Sequence, residues 1–312
     1  MLLVHGSARL DPSGSGCVAT IGNFDGVHLG HRAVLEHLAE MGGRLGLPTW
    51  VILFEPQPRE YFDPAGAPPR LTRLREKLAR LAELPVDFVL LLRFNRKLAE
   101  LPAAAFIREI LIEKLAVKYL VVGDDFRFGR NREGDFHLLE AFGRRAGFAV
   151  AGTPSVLVEG ERVSSTLIRE ALAAGRLERA AALLGRPYSV CGRVTHGEKR
   201  GRTLGFPTAN VLMRRRNTPV QGVFAVTMAG LRDHPWPGVA NVGLRPTVAG
   251  GRAVLLETHL FDFSGDLYGR MVEVVFHRKL REERRFASLA ELRAQIERDV
   301  AEARDHFRLG QS

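Results

Sequence analysis

Residues 22–31 read Gly-Asn-Phe-Asp-Gly-Val-His-Leu-Gly-His and carry the strongest chemical signal in the chain. An apolar run, Cys17–Ile21, leads into them, and a helical pattern, Ala33–Leu45, leads out. A strand that breaks at glycines and opens a helix presents unpaired backbone N–H groups and a positive dipole end to an anion. Gly22 and Gly26 permit a sharp turn and a close approach to a ligand. His28 and His31, three residues apart, share one face once the helix has begun, and Gly30 keeps the gap between them clear of a side chain. Gly22, Asn23, Phe24, Asp25, His28 and His31 are therefore candidates to hold a phosphate-bearing ligand. Taken alone, His-x-Gly-His equally suits two surface histidines beside a turn.

Two further segments fall where the same ligand would lie. Gly123–Arg130 follows an apolar run, Tyr119–Val122. Asp125 there suits a ribose hydroxyl or a base, and Phe126 and Phe128 suit packing against a flat ring; an acidic turn with one buried aromatic is the alternative. Ser164-Ser165-Thr166-Leu167-Ile168-Arg169 begins a helix. Its hydroxyls, Ser164 and Thr166 included, are natural N-caps, and Arg169 one turn in adds a fixed positive charge toward phosphate oxygens.

A second constellation lies far downstream, at residues 197–210. Gly197, Lys199, Gly201 and Arg202 form a glycine-rich basic stretch without the Gly-Lys-Ser/Thr ending of a Walker loop. They suit a flap around phosphates, or simply a basic hairpin. Thr208 and Asn210, two apart, face one way on an extended segment. Hard oxygen ligands that supplement the phosphates of ATP suit Mg²⁺.

The elements that must position these residues differ between the two halves. Residues 1–184 alternate strand-like runs (Trp50–Phe54, Val86–Leu92, Tyr119–Val122) with helical patterns at Leu74–Leu84, Ala103–Leu115 and Phe136–Ala146. This predicts an open, Rossmann-like parallel sheet with helices on both faces, binding its ligand beyond the carboxyl ends of the strands. From Tyr188 short β-rich runs appear at Ser189–Val194, Val223–Met228, Val254–Phe261 and Val272–Phe276, separated by Gly, Pro and Asn. These predict a small antiparallel barrel over residues 188–312, closed by an amphipathic helix from Ser288 to about Phe307. The boundary is expected at Gly185-Arg186-Pro187.

Composition narrows the class. The chain has 312 residues, enough for two cores. No apolar run reaches the roughly 18 residues of a membrane span, and no secretory pattern opens the chain. Cys17 and Cys191 lie far apart, which fits a reducing cytoplasm better than a disulfide framework. The formal charge of +10 is spread along the chain without an aromatic-rich basic stripe. Small molecules are therefore the expected partners, with no nucleic acid and no membrane; weak self-association stays open.

The motifs of both halves resemble those of bacterial bifunctional riboflavin kinase/FAD synthetases. Residues 22–31 and 164–169 resemble the two signatures of a nucleotidyltransferase, with Leu167 standing where arginine is frequent. Phe54-Glu55-Pro56-Gln57-Pro58 resembles the family's loop beside the flavin. Pro207-Thr208-Ala209-Asn210 resembles the riboflavin kinase signature, as do Gly222–Val226 (with Phe224 where tyrosine is common), Asn241–Thr247, Glu257–Phe263 and Phe276–Arg281.

The resemblance implies that the barrel phosphorylates riboflavin with ATP and Mg²⁺, and that the first half adenylylates FMN to FAD. It makes His28 and His31 donors to the phosphates in the transition state and Glu257 the general base toward the ribityl 5′-hydroxyl. Phe54, Pro56, Pro58, Phe128 and Arg281 would lie against the flavin.

Overall fold

The apolar runs of the first half become a six-stranded parallel sheet, in order β1-β4-β3-β2-β5-β6. Its strands are β1 (Leu2–His5), β2 (Cys17–Ile21), β3 (Thr49–Glu55), β4 (Phe88–Arg93), β5 (Val117–Val122) and β6 (Ala149–Gly152). The computed structural model describes residues 1–7, 16–153, 155–196, 205–215, 217–231, 233–246 and 252–309. All five residues of β2 are buried, because both faces of this central strand are covered. One face packs against α1 (Leu29–Leu45) and, after α2 (Pro58–Phe62), α3 (Leu74–Ala82). The other packs against α5 (Ala103–Phe106), which follows α4 (Arg96–Ala99) and runs on as π-helical turns Ile107–Lys114, and against α6 (Phe136–Ala146).

Helix α1 starts where a histidine can cap it. His28 has extended backbone angles, and its Nδ1 accepts from the His31 backbone N–H at 3.3 Å. The helix stops at Gly46 in the left-handed region. The expected start at Ala33 thus moves back to Leu29, so the first turn lies inside the ten-residue motif.

The second half closes into a six-stranded antiparallel barrel, in cyclic order β10-β13-β12-β11-β14-β9. After a two-stranded hairpin, β7 (Leu157–Val158) and β8 (Glu161–Arg162), and helices α7 (Ser165–Ala173) and α8 (Leu177–Leu184), come β9 (Ser189–Thr195) and β10 (Ala209–Leu212). Then follow β11 (Gly222–Ala229), β12 (Trp236–Pro246), β13 (Arg252–Leu260), β14 (Met271–Arg281) and a final helix α9 (Leu289–Leu309). Val194, Val211, Leu256 and Val242 are paired in register and point inward. Outside, α9 covers Val223 and Ala225 with Val300, Ala303 and Phe307. The Ser288 hydroxyl caps α9 through the Glu291 N–H at 3.1 Å, and Glu291 returns a bond to the Ala287 N–H.

By packing, the chain separates into Met1–Ala67 with Arg73–Val163, and Pro68–Thr72 with Ser164–Ser312. The split falls before α7, earlier than the expected Gly185. Helices α7 and α8 bury Ile168, Leu172, Ala180 and Leu183, and pack on one another, and α8 packs on β14.

Candidate active sites

In the first unit the glycine motif forms a tight, strained loop between β2 and α1. Phe24 and Val27 both have positive φ (47° and 44°), as does Gly26 (88°). For bulky residues this costs on the order of 1–3 kcal/mol each and is held only by strong surrounding packing. Here Phe24 and Val27 are both buried in the cluster that includes Val34, Leu35 and Leu38 of α1. The loop thereby holds the rings of His28 and His31 stacked, with centroids 3.6 Å apart. A Cβ at Gly30 would lie 3.2 Å from the His28 ring, so glycine there leaves the imidazole its place.

The protonation of this pair follows from its contacts. His28 Nδ1 accepts a backbone N–H, so in the neutral ring the proton sits on Nε2. His31 is held well below the usual imidazole range, first by burial, then by the positive charge of His28 and of Lys77. Its Nδ1 is buried with no hydrogen-bond partner among the described residues. His31 is therefore held neutral at neutral pH.

Beside this loop lies a cleft of about 1170 Å³. Of the residues expected to bind ligand, Gly22, Asn23, Phe54, Pro58, Asp125 and Phe128 line it; Pro56, which follows a cis peptide bond, does not. Asp125 is exposed on the wall, whereas Asp25 is buried. Phe126 and Phe128 stack at 5.4 Å, with Phe128 also against Phe106. A cluster of rings absent from the sequence reading, Tyr61, Phe62 and Phe94, completes the wall with edge-on contacts of 5.3–5.7 Å. Such a ring-lined slot suits a planar aromatic ligand.

Ser164, Thr166 and Arg169 fall in the second unit. The Ser164 hydroxyl caps α7, accepting from the Leu167 N–H at 3.2 Å. Arg169 donates from its Nε to the Pro69 carbonyl at 2.8 Å.

On the barrel, strand register builds the second site. Glu257 of β13 lies directly opposite Asn210 of β10 on one side and Asn241 of β12 on the other. Its neighbours Leu256 and Thr258 are buried inward, so Glu257 and the two asparagines share the outer face. Thr208 comes two residues before Asn210, at the entry to β10. Gly197, Lys199, Gly201 and Arg202 lie outside the described residues.

Arg281, expected beside the flavin, is held by protein groups. It is the last residue of β14, and its guanidinium grips Asp299 of α9 at 2.7 and 2.9 Å while donating to the Glu282 carbonyl. Asp299 is buried and also accepts from Gln295. These bonds anchor the end of β14 on α9.

Comparison with known proteins adds the decisive observation. A family model described as FAD synthetase matches residues 11–167, and one described as riboflavin kinase matches residues 184–307. The chain is 55% identical to the bifunctional riboflavin kinase/FMN adenylyltransferase of Escherichia coli K12, over 99% of both chains. It is 53% identical to the protein of that name from Pseudomonas fluorescens, over 97% of both. This chain belongs to the bifunctional riboflavin kinase/FMN adenylyltransferase family. The fold agrees: a structure titled macrolide-efflux protein from Streptococcus pneumoniae superposes with TM-score 0.79 at 29% identity, covering 96% of this chain and 97% of that one.

For a riboflavin kinase/FMN adenylyltransferase, two residues stand out that sequence reasoning passed over. Lys77 is 1% exposed, on the α3 face whose other members, Leu74, Leu78 and Leu81, pack into the α1 core. In the sequence it reads as one cation of an Arg/Lys-rich helix; the signal was its place at an apolar position of the helical period. Glu283 lies in the segment after β14, and its Oε1 accepts from Asn241 Nδ2 at 3.0 Å. No local pattern marks that pairing, which spans 42 positions of chain.

Proposed function

We propose that this chain carries riboflavin to FAD in two steps, the first in residues 188–312 and the second in residues 1–184. The observation that supports this reading most is that both constellations stay assembled on folding, each within its own matched domain: the stacked His28–His31 pair at the α1 terminus and the Asn210–Glu257 row on the barrel.

In the kinase step Glu257 takes the proton of the ribityl 5′-hydroxyl as that oxygen attacks the γ-phosphorus of ATP, and ADP leaves. Thr208 and Asn210 offer a hydroxyl and an amide oxygen without a carboxylate. This donor set fits Mg²⁺, which keeps phosphate oxygens and waters as its other ligands. Bound there, the cation neutralises phosphate charge. Gly197, Lys199, Gly201 and Arg202 are the proposed flap over the phosphates.

In the second step an FMN phosphate oxygen attacks the α-phosphorus of a second ATP, and pyrophosphate leaves. No covalent enzyme intermediate is needed; alignment and charge stabilisation suffice. His28 donates from Nε2, His31 donates beside it, and the α1 N-terminus adds its dipole. Arg169 with Ser164 and Thr166 is assigned to the leaving pyrophosphate, Asp125 to the nucleoside, and Phe54, Pro58 and Phe128 to the flavin. A cytoplasmic setting, with ATP and small molecules as the only partners, belongs to the same reading.

The test separates the two sites. With riboflavin, ATP and Mg²⁺, Glu257→Ala should form no FMN yet convert supplied FMN to FAD. The double variant His28→Ala, His31→Ala should accumulate FMN and stop there. Loss of both steps in either folded variant overturns the assignment.

A further inference from the structure

Asn241 is one place where the barrel leaves a buried polar atom unpaired among the described residues. Its Oδ1 is buried and has no hydrogen-bond partner among the described residues. A buried amide oxygen without a donor is costly, and such groups are rare enough to need a reason. Its Nδ2, by contrast, is held by Glu283 Oε1 at 3.0 Å. A carboxylate only accepts, so it fixes the amide with nitrogen toward Glu283 and oxygen away from it.

Three features of the fold set this orientation. Asn241 faces Glu257 directly across the β12–β13 ladder, a pairing that brings Cβ atoms to about 4.5–5.5 Å. Gly243, two residues on and on the same face, has no side chain, and a Cβ there would overlap the Glu283 carboxylate. Glu283 itself starts from Arg281, which is clamped to Asp299. The clamp, the glycine and the carboxylate together hold one amide in one orientation beside the general base.

We propose that Asn241 is a positioning residue for the kinase reaction: its oriented Oδ1 is the acceptor for the proton that Glu257 gains when the substrate hydroxyl attacks. Before the reaction the Glu257 carboxylate has no proton to give, and Asn241 Oδ1 goes unpaired. As the hydroxyl oxygen bonds to the γ-phosphorus, its proton passes to Glu257, and the new Glu257 O–H donates to Asn241. The proton leaves to solvent after ADP and FMN depart. The hydrogen bond exists only once proton transfer has begun, so it lowers the barrier without tightening substrate binding. The inference rests on Glu257 as the base.

Four variants of the full chain test it, with single-turnover riboflavin phosphorylation followed across pH. Asn241→Leu removes the acceptor. Its rate should fall about tenfold, from the loss of one hydrogen bond, with KM for riboflavin and for ATP within twofold. Because Oδ1 favours the protonated base, the acid limb of the profile should also move to lower pH. Glu283→Gln still accepts from Asn241 Nδ2 and should stay near the parent rate. Glu283→Ala frees the amide to turn its NH₂ toward Glu257 and should repeat the Asn241→Leu shift. FMN adenylylation by the same preparations reports folding; should Asn241→Leu fail it, Asn241→Ser takes its place. An unmoved acid limb with an unchanged rate, or a rise in KM alone, overturns the proposal. Glu257→Gln is run alongside: if it keeps the parent rate, the base assignment itself is wrong, whatever Asn241 does.

Discussion

The two histidines show how far single residues could be read and where context took over. Their spacing was enough to place both rings on one face, and they stack at 3.6 Å. Their protonation was not legible, because it depends on Lys77, 46 positions away on another helix. Burial and two neighbouring cations lower the His31 pKa, whereas in the unfolded chain it titrates near its ordinary value of 6.5. Between the depressed value and 6.5 the unfolded chain binds more protons, so stability is complete above about 6.5 and is lost as pH falls below it. Lys77→Met removes one of the three causes. His31 should then titrate higher, seen in its imidazole NMR signal, and the drop in urea midpoint from pH 7 to 5 should shrink. A His31 titration that ignores the substitution would remove Lys77 from the site.

Among the elements, those with punctuation at both ends were read best. Helix α6 runs from Phe136 to Ala146 as expected, because Asp135 caps its start and Gly147 turns left-handed at its end. Strand β12 was missed for the opposite reason. Pro237, Gly238, Asn241 and Gly243 look like loop residues in the sequence, yet they form an eleven-residue strand paired on both sides. Gly238 is required there, since a side chain would collide with the His259 carbonyl. Asn241 therefore entered only by resemblance, and its register with Glu257 was invisible. The same lesson covers the Arg281–Asp299 pair, whose partner on a helix 18 positions later no local pattern reveals. Breaking a buried ion pair by removing one partner costs about 3–5 kcal/mol. Asp299→Ala should thus lower the chemical-denaturation stability of the barrel by about 3 kcal/mol, at the lower end because Arg281 keeps some solvent. Replacing both partners, Arg281→Met with Asp299→Leu, should cost much less. If the single variant melts like the parent, the clamp does not hold the strand end.

At the scale of the whole chain, two grammars in sequence predicted two architectures in order, and a parallel sheet is followed by a closed barrel. One detail of the packing leaves no trace in the sequence. Pro68–Thr72 groups with the second unit although it lies inside the first half of the sequence, tied there by Arg215 to the Arg70 carbonyl at 2.9 Å and by Arg169 to Pro69. A five-residue segment held by contacts from about 100 and 145 positions away leaves no periodic trace. What the order of domains does imply is chemical: the barrel's product is the first half's substrate. If FMN is released between the steps, the two sites need not share a chain. A mixture of Glu257→Ala with the His28→Ala, His31→Ala variant should then make FAD from riboflavin. FAD should appear after a lag, because FMN must first accumulate in solution, and the lag should shorten as more of the histidine variant is added. Each variant alone should give none. A mixture that makes no FAD, while Glu257→Ala still converts supplied FMN, would mean that the histidine variant keeps the FMN it makes bound.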